Sequence, residues 1–484
     1  MTKEIEKNLQ ALIKAGFDVA IVGGAIRDIL AKKEVSDWDF ATSAKPEEIL
    51  KVIKGSFYNN RFGTVGIALK VQRPVARDQR LMVQITTYRT EEKYTDKRHP
   101  DVIIWGKTLE EDLSRRDFTI NAMALKIENG KLKIEKDNSQ LSILNSQLTL
   151  VDPYSGQKDL KKKIIRTVGN PDDRFKEDAL RLLRAVRFAT TLDFKIEEKT
   201  ALAIKKNAKL LSKISGERIR DELFKILDSE NAADGILLSK ELGLLEVFFL
   251  ELDGCFNIEQ KSPKRHHIYD VGTHCVMSLK YCPSKDTLTR LATLLHDIGK
   301  AKVATVTEEG VRTFHNHEVI GSRLALKIAQ RLGLSKNQRE KLFKLVRWHQ
   351  FSVNENQTDK ALRRFIKNIG VENIEDMMDL RIGDRLGGGL QQPESWRLKL
   401  FRKRLKDVMK KPFTVADLKV NGYDVMKILN IKPGPKVGEV LETLFEEVTD
   451  DPKKNKREYL LERIKNNYSL SKLSKPKETK QFQS

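Results

Sequence analysis

Cysteine is scarce: Cys255, Cys275 and Cys282 are the only three among 484 residues, odd in number and without C-x-x-C spacing. That argues against a disulfide framework and a cysteine zinc knuckle, and it suits a reducing cytoplasm. Long apolar runs are also lacking. The most apolar stretch, residues 244–250, is interrupted by Glu246 and is far too short to span a bilayer. No secretory leader is read at the start, because Ile5, Leu9, Leu12 and Ile13 recur there at helical spacing among charges. Nor is there an internal repeat of fixed period. These absences predict a soluble, cytoplasmic protein with no membrane partner, and nothing implies an obligatory protein partner.

What the chain has in excess is positive charge. Lysine and arginine number 90 against 68 aspartates and glutamates, for a net charge of +22. So basic a balance points to a polyanionic partner, since clustered cations gain by displacing phosphate counterions. A chain made basic only for solubility is the alternative. The length is too great for one core, so three or four domains are expected.

The pattern is mixed up to about residue 150. A first amphipathic helix stops at Gly16, and strand-like runs follow at 17–22, 64–71, 81–88 and 122–127, with a polar loop between Arg89 and Trp105. Beyond residue 155 helical periodicity takes over, with charged helices expected through 161–191, 196–211 and 217–227. A segment opening near Ser262 carries seven of the eight histidines. The remainder is helical and basic, ending in a lysine-rich tail from 472 to 484.

Two places carry chemistry. In AIVGGAIRDIL, Gly23 and Gly24 sit at a strand-to-helix junction, where backbone N–H groups can approach an anion, and Arg27 one turn later can grip the same phosphates. A bare tight turn fits the glycine pair equally well. Downstream, Asp37 and Asp39 alternate in SDWDF, so on a strand both carboxylates project from one face. Two like charges so close call for a cation between them. Oxygen pairs of this kind hold Mg2+ beside substrate phosphates, the arrangement of metal-assisted phosphoryl transfer.

Taken together, these residues resemble the nucleotidyltransferase superfamily that includes DNA polymerase β. More narrowly, they resemble class II CCA-adding enzymes and bacterial poly(A) polymerases. The likeness continues in order through Arg61-Phe62-Gly63-Thr64, Ser114 to Ala122 with Arg115-Arg116-Asp117, Asp152 to Gly156, Glu177 to Phe188, and Gly216-Glu217-Arg218 with Glu222. It covers roughly the first half of the chain. The resemblance implies ribose binding by the Arg116-Asp117 motif, base selection by Asp178 and Arg181, and triphosphate contacts by Arg184 and Arg187. Asp178, Arg181, Arg184 and Arg187 recur every third residue, so on one helix successive members would be neighbours. Asp178 can accept from an exocyclic amine while Arg181 donates to ring nitrogens or a carbonyl, a pairing that takes CTP and ATP but not UTP or GTP. Three arginines against one aspartate are too many for a merely ion-paired helix. One departure is Gln84, where related sequences often carry an acid, so the metal would rest on Asp37 and Asp39 alone. The loop 89–100 matches the family's mobile loop, which the resemblance ties to the switch from cytidine to adenosine addition.

The second place is the series His274, His296-Asp297, His317, His349 and Asp384, with LLHDIGK at its centre. It resembles the HD phosphohydrolase superfamily. Imidazole and carboxylate ligands suit a transition metal (Ni, Mn, Fe or Zn), and the resemblance implies a phosphatase or 2′,3′-cyclic phosphodiesterase acting on RNA ends. His266, His267 and His315 read as surface or outlying residues. In the last segment, Pro433-Gly434-Pro435 and its lysines either approach RNA or merely form a helix–turn–helix cap.

The expected fold class is α+β, a polymerase-β-like head with a mixed sheet followed by all-α neck, body, HD and tail domains. The boundaries expected are 1–150, 151–260, 261–390 and 391–484. Three functions compete: CCA addition to the tRNA 3′ end from CTP and ATP, poly(A) synthesis by the same family, and an HD phosphohydrolase with an RNA-docking head. The third requires an inactive head although Asp37, Asp39, Arg116 and Asp178 are all present.

Overall fold

The computed structural model describes residues 3–33, 35, 38–58, 63–69, 81–92, 102–128, 147–260, 268–308, 310–409 and 415–467. Asp37, Arg61, Phe62, residues 93–101, His266, His267 and the lysine-rich tail lie outside the described residues. The chain divides into two compact units. One comprises Met1–Gln260, Tyr269–Lys280 and Leu326–Arg339; the other comprises Lys261–Ile268, Tyr281–Ala325 and Glu340–Ser484.

The first unit opens on the helix Lys3–Lys14 and then builds its sheet from β1 (Val19–Val22), β2 (Asp39–Thr42), β3 (Ser56–Tyr58), β4 (Thr64–Leu69) and β5 (Leu81–Thr87). After a separate two-stranded ribbon, β6 (Arg89–Glu92) and β7 (Val102–Trp105), the sheet is completed by β8 (Ala124–Glu128) and β9 (Gln147–Val151). Its spatial order is β3-β4-β5-β2-β1-β8-β9, and β2 with β5 is its one parallel pair. The mixed sheet expected from sequence is therefore present.

Central β1 is apolar at every position because both faces are covered. Val19 and Ile21 face a core with Leu9, Leu12, Phe40, Ile49 and Ile85. Ala20 and Val22 face a second core, in which Ala41 and Ala124 leave room for Leu109 and Leu113 of the helix Leu109–Ser114. That helix starts at a capping box, Thr108 accepting from the Glu111 N–H while Glu111 accepts from the Thr108 N–H.

Two sequence expectations need correction here. The stretch between Arg89 and Trp105 is not loop throughout: β6 and β7 pair antiparallel from Arg89↔Trp105 to Glu92↔Val102. The β-branched and aromatic run 102–105 favours a strand, and the polar partner run only obscured the pairing. Gly63, at φ 74°, lies under Trp105, whose ring would sit 2.5 Å from any Cβ there. Residues 161–191 are also not one continuous helical stretch. The helix Gly156–Lys162 stops at left-handed Lys163, and Ile164–Ile165 pairs with Lys195–Ile196 as a short parallel ladder. Pro171 then starts the helix Pro171–Glu177 behind an Asn170 cap, and the backbone turns extended at Asp178 before the helix Leu180–Leu192.

The second unit is helical apart from the short hairpin Thr305–Val306 with Arg312–Thr313. Toward its end, Gly422–Leu429, Pro435–Asp450 and Arg457–Asn467 share a core of Val425, Leu444, Leu460 and Ile464. No helix among the described residues is long and apolar enough to cross a membrane.

Candidate active site

Gly23 sits at φ 71° between β1 and the helix Gly24–Leu30. A Cβ there would lie 3.2 Å from Arg116 Nη1 and 3.4 Å from Asp39 Oδ2, so the bare glycine lets a cation and a carboxylate close over the turn. Asp39 opens β2 opposite Val22 on one side and Gln84 on the other. Because the β2–β5 pairing is parallel and in register, exposed Gln84 stands beside Asp39 on the sheet. A carboxamide thus occupies the neighbouring strand position, and the second carboxylate of the sequence pair, Asp37, is not among the described residues.

The arginines around this turn are held by acids from elsewhere in the unit. Asp112, fully buried, accepts from Arg115 Nη2 at 2.6 Å and from Arg116 Nη2 at 3.1 Å. Burial opposes its charge, but the two guanidinium groups outweigh burial and lower its pKa. Arg27 donates through Nη1 to Asn121 Oδ1 at 3.1 Å. Asp117 Oδ2 accepts from Arg184 Nε at 2.8 Å and Nη2 at 2.5 Å, while its Oδ1 accepts from Phe118 N and Asn121 Nδ2. Against full burial, these partners hold the Asp117 carboxyl at a pKa of about 2.

Arg187 Nε lies 2.5 Å from Glu222 Oε2, with its guanidinium carbon 3.7 Å from the centre of the Phe188 ring. Arg181 is buried against Glu177, at 2.6 Å, and the carbonyls of Arg174 and Arg115. The sequence count of three arginines against one aspartate is therefore corrected: Asp117, Glu177 and Glu222 balance them from other turns and helices.

Asp178 also departs from expectation. It caps the preceding helix at φ −133°, ψ 106°, and is not part of the helix carrying the arginines. Its Oδ1 accepts from Leu180 N and its Oδ2 from Arg218 Nη2, both at 3.0 Å. An extended residue just before a helix presents its side chain at the helix end, off the row that every-third spacing would form.

These groups converge. A cleft of about 440 Å3 is lined by Gly23, Gly24, Arg27, Asp39, Arg116, Asp117, Asp178, Arg181, Arg184 and Arg187, which are all the described members of the sequence-derived nucleotide set. Asp28, Arg115, Asn121, Leu180, Phe188 and Arg218 complete it. Arg115, Asn121 and Arg218 fall inside stretches that the sequence reading singled out, but nothing in local spacing distinguishes them from their neighbours. Seven arginines against four aspartates make the lining cationic, suited to an anionic ligand of nucleotide size.

A separate centre lies in the second unit. Asp297 Oδ1 lies 3.2 Å from His317 Nε2 and 3.5 Å from His349 Nε2; its Oδ2 lies 3.3 Å from His296 Nε2 and 2.6 Å from Lys300 Nζ. Asp384 Oδ1 is 3.7 Å from His296 Nε2. The Nδ1 atoms of His296, His317 and His349 lie 2.7, 2.8 and 2.7 Å from the carbonyls of Thr293, Phe314 and Val346. A carbonyl can only accept, so each Nδ1 carries a proton and each Nε2 faces Asp297: in the neutral ring it is a lone pair open to a metal, and in the protonated ring it donates to the carboxylate. Asp297, His317 and His349 bring ligand atoms within 4.8 Å of one another, all buried, as a metal-binding group requires. Burial lowers the pKa of His349; at His317 burial is outweighed by the hydrogen bond and charge of Asp297, and the pKa is raised. His274 is buried on the helix Val271–Tyr281, nearly all of which belongs to the first unit, and His315 is exposed.

The mixed-sheet head and its arginine-lined cleft define a nucleotidyltransferase. Residues 19–166 match the family described as poly A polymerase head domain, and 193–256 match the probable RNA and SrmB-binding site of polymerase A. Residues 266–382 match the HD domain, and 398–464 the putative tRNA nucleotidyltransferase domain 2. The chain is 32% identical over 457 residues to the CCA-adding enzyme of Ligilactobacillus salivarius, covering 94% of each. A shorter match, 43% over 219 residues, spans 45% of this chain and 48% of the CCA-adding enzyme of Lactobacillus helveticus. The solved CCA-adding enzyme of Bacillus stearothermophilus in complex with CTP has 26% identity and a TM-score of 0.63, over 96% of this chain and 98% of that one. The chain belongs to the CCA-adding enzyme family.

Proposed function

We propose that the protein adds CCA to tRNA 3′ ends without a nucleic-acid template, using CTP and ATP. The observation that carries this is the convergence of Asp39, Asp178 and the arginine set on one cleft, in a chain whose full-length relatives are CCA-adding enzymes. In the reaction the tRNA 3′-hydroxyl attacks the α-phosphorus of the bound nucleotide and pyrophosphate leaves. Asp37 and Asp39 would hold Mg2+, which when bound supplies positive charge beside the triphosphate. Arg184 and Arg187 bind the phosphates, Gly23, Gly24 and Arg27 close on the same group, and Arg116 with Asp117 takes the ribose. Asp178 and Arg181 read the base edge, accepting an exocyclic amine that UTP and GTP do not present in the same pattern.

Four matched ranges support a division into four parts near 1–150, 151–260, 261–390 and 391–484, the head match running on to residue 166, and a cytoplasmic location fits three buried cysteines without a disulfide. At the second centre, lone pairs directed by carbonyl-anchored imidazoles fit a transition metal better than Ca2+ or Mg2+. His296, Asp297, His317, His349 and Asp384 would hold it, and it would supply a polarised water for phosphoester hydrolysis at RNA ends.

The test uses tRNA lacking its 3′ CCA with each nucleotide alone and with CTP and ATP together. Ordered addition of two cytidines and one adenosine supports the reading. Extension of any RNA by ATP alone would instead make the chain a poly(A) polymerase.

A further inference from the structure

The helix Ile374–Gly387 brings Asp384 to the second centre together with two arginines. Arg381, Asp384 and Arg385 stand at i, i+3 and i+4, so the three share one face of the helix. Asp384 reaches in two directions: Oδ1 lies 3.7 Å from His296 Nε2, and Oδ2 accepts from Arg381 Nη1 at 3.2 Å. The guanidinium carbon of Arg381 lies 5.5 Å from the centre of the Phe351 ring, just beyond His349 in the chain.

These two cations are under-supplied with acceptors. Arg385 makes no ion pair or side-chain hydrogen bond among the described residues; Asp384 offsets its charge while Arg381 opposes it. The Nε atoms of Arg381 and Arg385 are both buried without an acceptor. A buried donor left unpaired is costly, and one reason to keep it is a partner that arrives later. Guanidinium nitrogens in the same state, Arg116 Nε and Arg218 Nη1, belong to side chains that line the nucleotide cleft of the first unit. Steadying Asp384 would need Arg381 alone, and it leaves Arg385 unexplained. Both side chains are only half-buried, so a solute can reach them.

We propose that Arg381 and Arg385 form a phosphate subsite of the second centre, which takes the terminal phosphomonoester of an RNA end. The choice of RNA rests on the reading of that centre given above. A guanidinium fork matches the oxygens of a phosphate, and two forks suit a dianion with three free oxygens. A 2′,3′-cyclic phosphate carries one charge and two free oxygens, so it gains less from the second arginine. A phosphate gripped by Arg381 is one carboxylate removed from His296, which puts the ester beside the imidazole cluster.

The experiment measures binding of the trinucleotide CCA to the chelator-treated full-length chain, with a 3′-phosphate, a 2′,3′-cyclic phosphate or a 3′-hydroxyl at its end. The wild type should bind the 3′-phosphate form roughly tenfold or more tightly than the hydroxyl form, with the cyclic form between them. R381Q/R385Q, folded by circular dichroism and still adding nucleotides to tRNA, should lose that preference while binding the hydroxyl form as before. A folded variant that keeps the preference overturns the subsite, because the phosphate is then held elsewhere, as in the arginine-lined cleft. Equal affinity of the wild type for all three ends overturns it as well, and tighter binding of the cyclic form overturns the monoester assignment. Preference lost in the variant, with no phosphate released by the wild type loaded with Mn2+, Ni2+, Fe2+ or Zn2+, supports the subsite and overturns the hydrolase reading instead.

Discussion

Arg218 donates through Nη2 to Asp178 Oδ2 at 3.0 Å, across 40 residues of sequence, while Leu180 N donates to the other oxygen of the same carboxylate at 3.0 Å. Both oxygens of Asp178 are thus oriented before any nucleotide arrives. A base-reading acceptor gains selectivity from such fixation, because a wrong base must leave a held polar group unpaired.

Asp178→Ala should therefore lower the ratio of kcat/KM for CTP over UTP by roughly tenfold or more. Arg218→Ala should move the ratio the same way by less, since the Leu180 N–H still holds one oxygen. Single-nucleotide incorporation with each triphosphate measures both. Unchanged discrimination in Asp178→Ala would remove this carboxylate from base selection.

Asp37→Ala and Asp39→Ala should each abolish incorporation while the protein still folds and retains CTP binding through its arginines. Gln84 offers a gain-of-function counterpart, because it lies in register with Asp39 on the adjoining strand. Gln84→Glu places a further carboxylate at that position and should lower the Mg2+ concentration giving half-maximal rate. A titration of rate against Mg2+ that is identical to wild type argues that position 84 does not reach the metal.

The pairing of buried Asp117 with half-buried Arg184 predicts a pH dependence of stability. Asp117 has a folded pKa of about 2, below its ordinary value of 3.8, so the unfolded chain binds the proton more tightly. Its contribution is fully present above about pH 4 and is lost as pH falls toward about 2. Asp117→Asn removes the charge from the one oxygen that Arg184 Nε and Nη2 share, beside a guanidinium that is partly exposed and still has Glu222 at 3.8 Å, and should cost about 1–2 kcal/mol at neutral pH. Denaturant unfolding of both proteins at neutral pH and near pH 3 checks this. The gap between them should narrow on acidification, and a gap that widens would contradict the assignment.

His296→Ala combined with Asp297→Ala should strip transition metal from the purified protein, read by elemental analysis, and remove any phosphoesterase activity. Nucleotide addition should persist. A chelator should reproduce the first effect in wild type. Metal content unaffected by the double substitution would leave these residues a structural cluster, with Lys300 balancing Asp297.

Much of this chain was legible before any coordinates. Local spacing sufficed for the glycine turn at Gly23 and for helix following sheet, because each depends on residues close in sequence, whereas the histidine series, spread from His274 to Asp384, was legible only as a resemblance to the HD superfamily. Every-third spacing misled at Asp178: Pro171 behind its Asn170 cap sets a short helix, and the chain straightens before Leu180. The ribbon at Arg89 was hidden for a related reason, since its polar strand becomes recognisable only beside its partner at Val102–Trp105.

The sequence by itself determined which chemical groups are available: alternating aspartates, an arginine-rich stretch, carboxylate-and-imidazole chemistry around His296 and Asp297, and an excess of cationic side chains. Tertiary structure alone decided which of them meet. Asp117 and Arg184 are 67 residues apart, and Gln84 comes beside Asp39 only through the one parallel pairing in the sheet. Helical and strand periodicities order neighbours over a few residues. Pairing across tens of residues depends on how strands and helices close around a common core, and no local pattern encodes that closure.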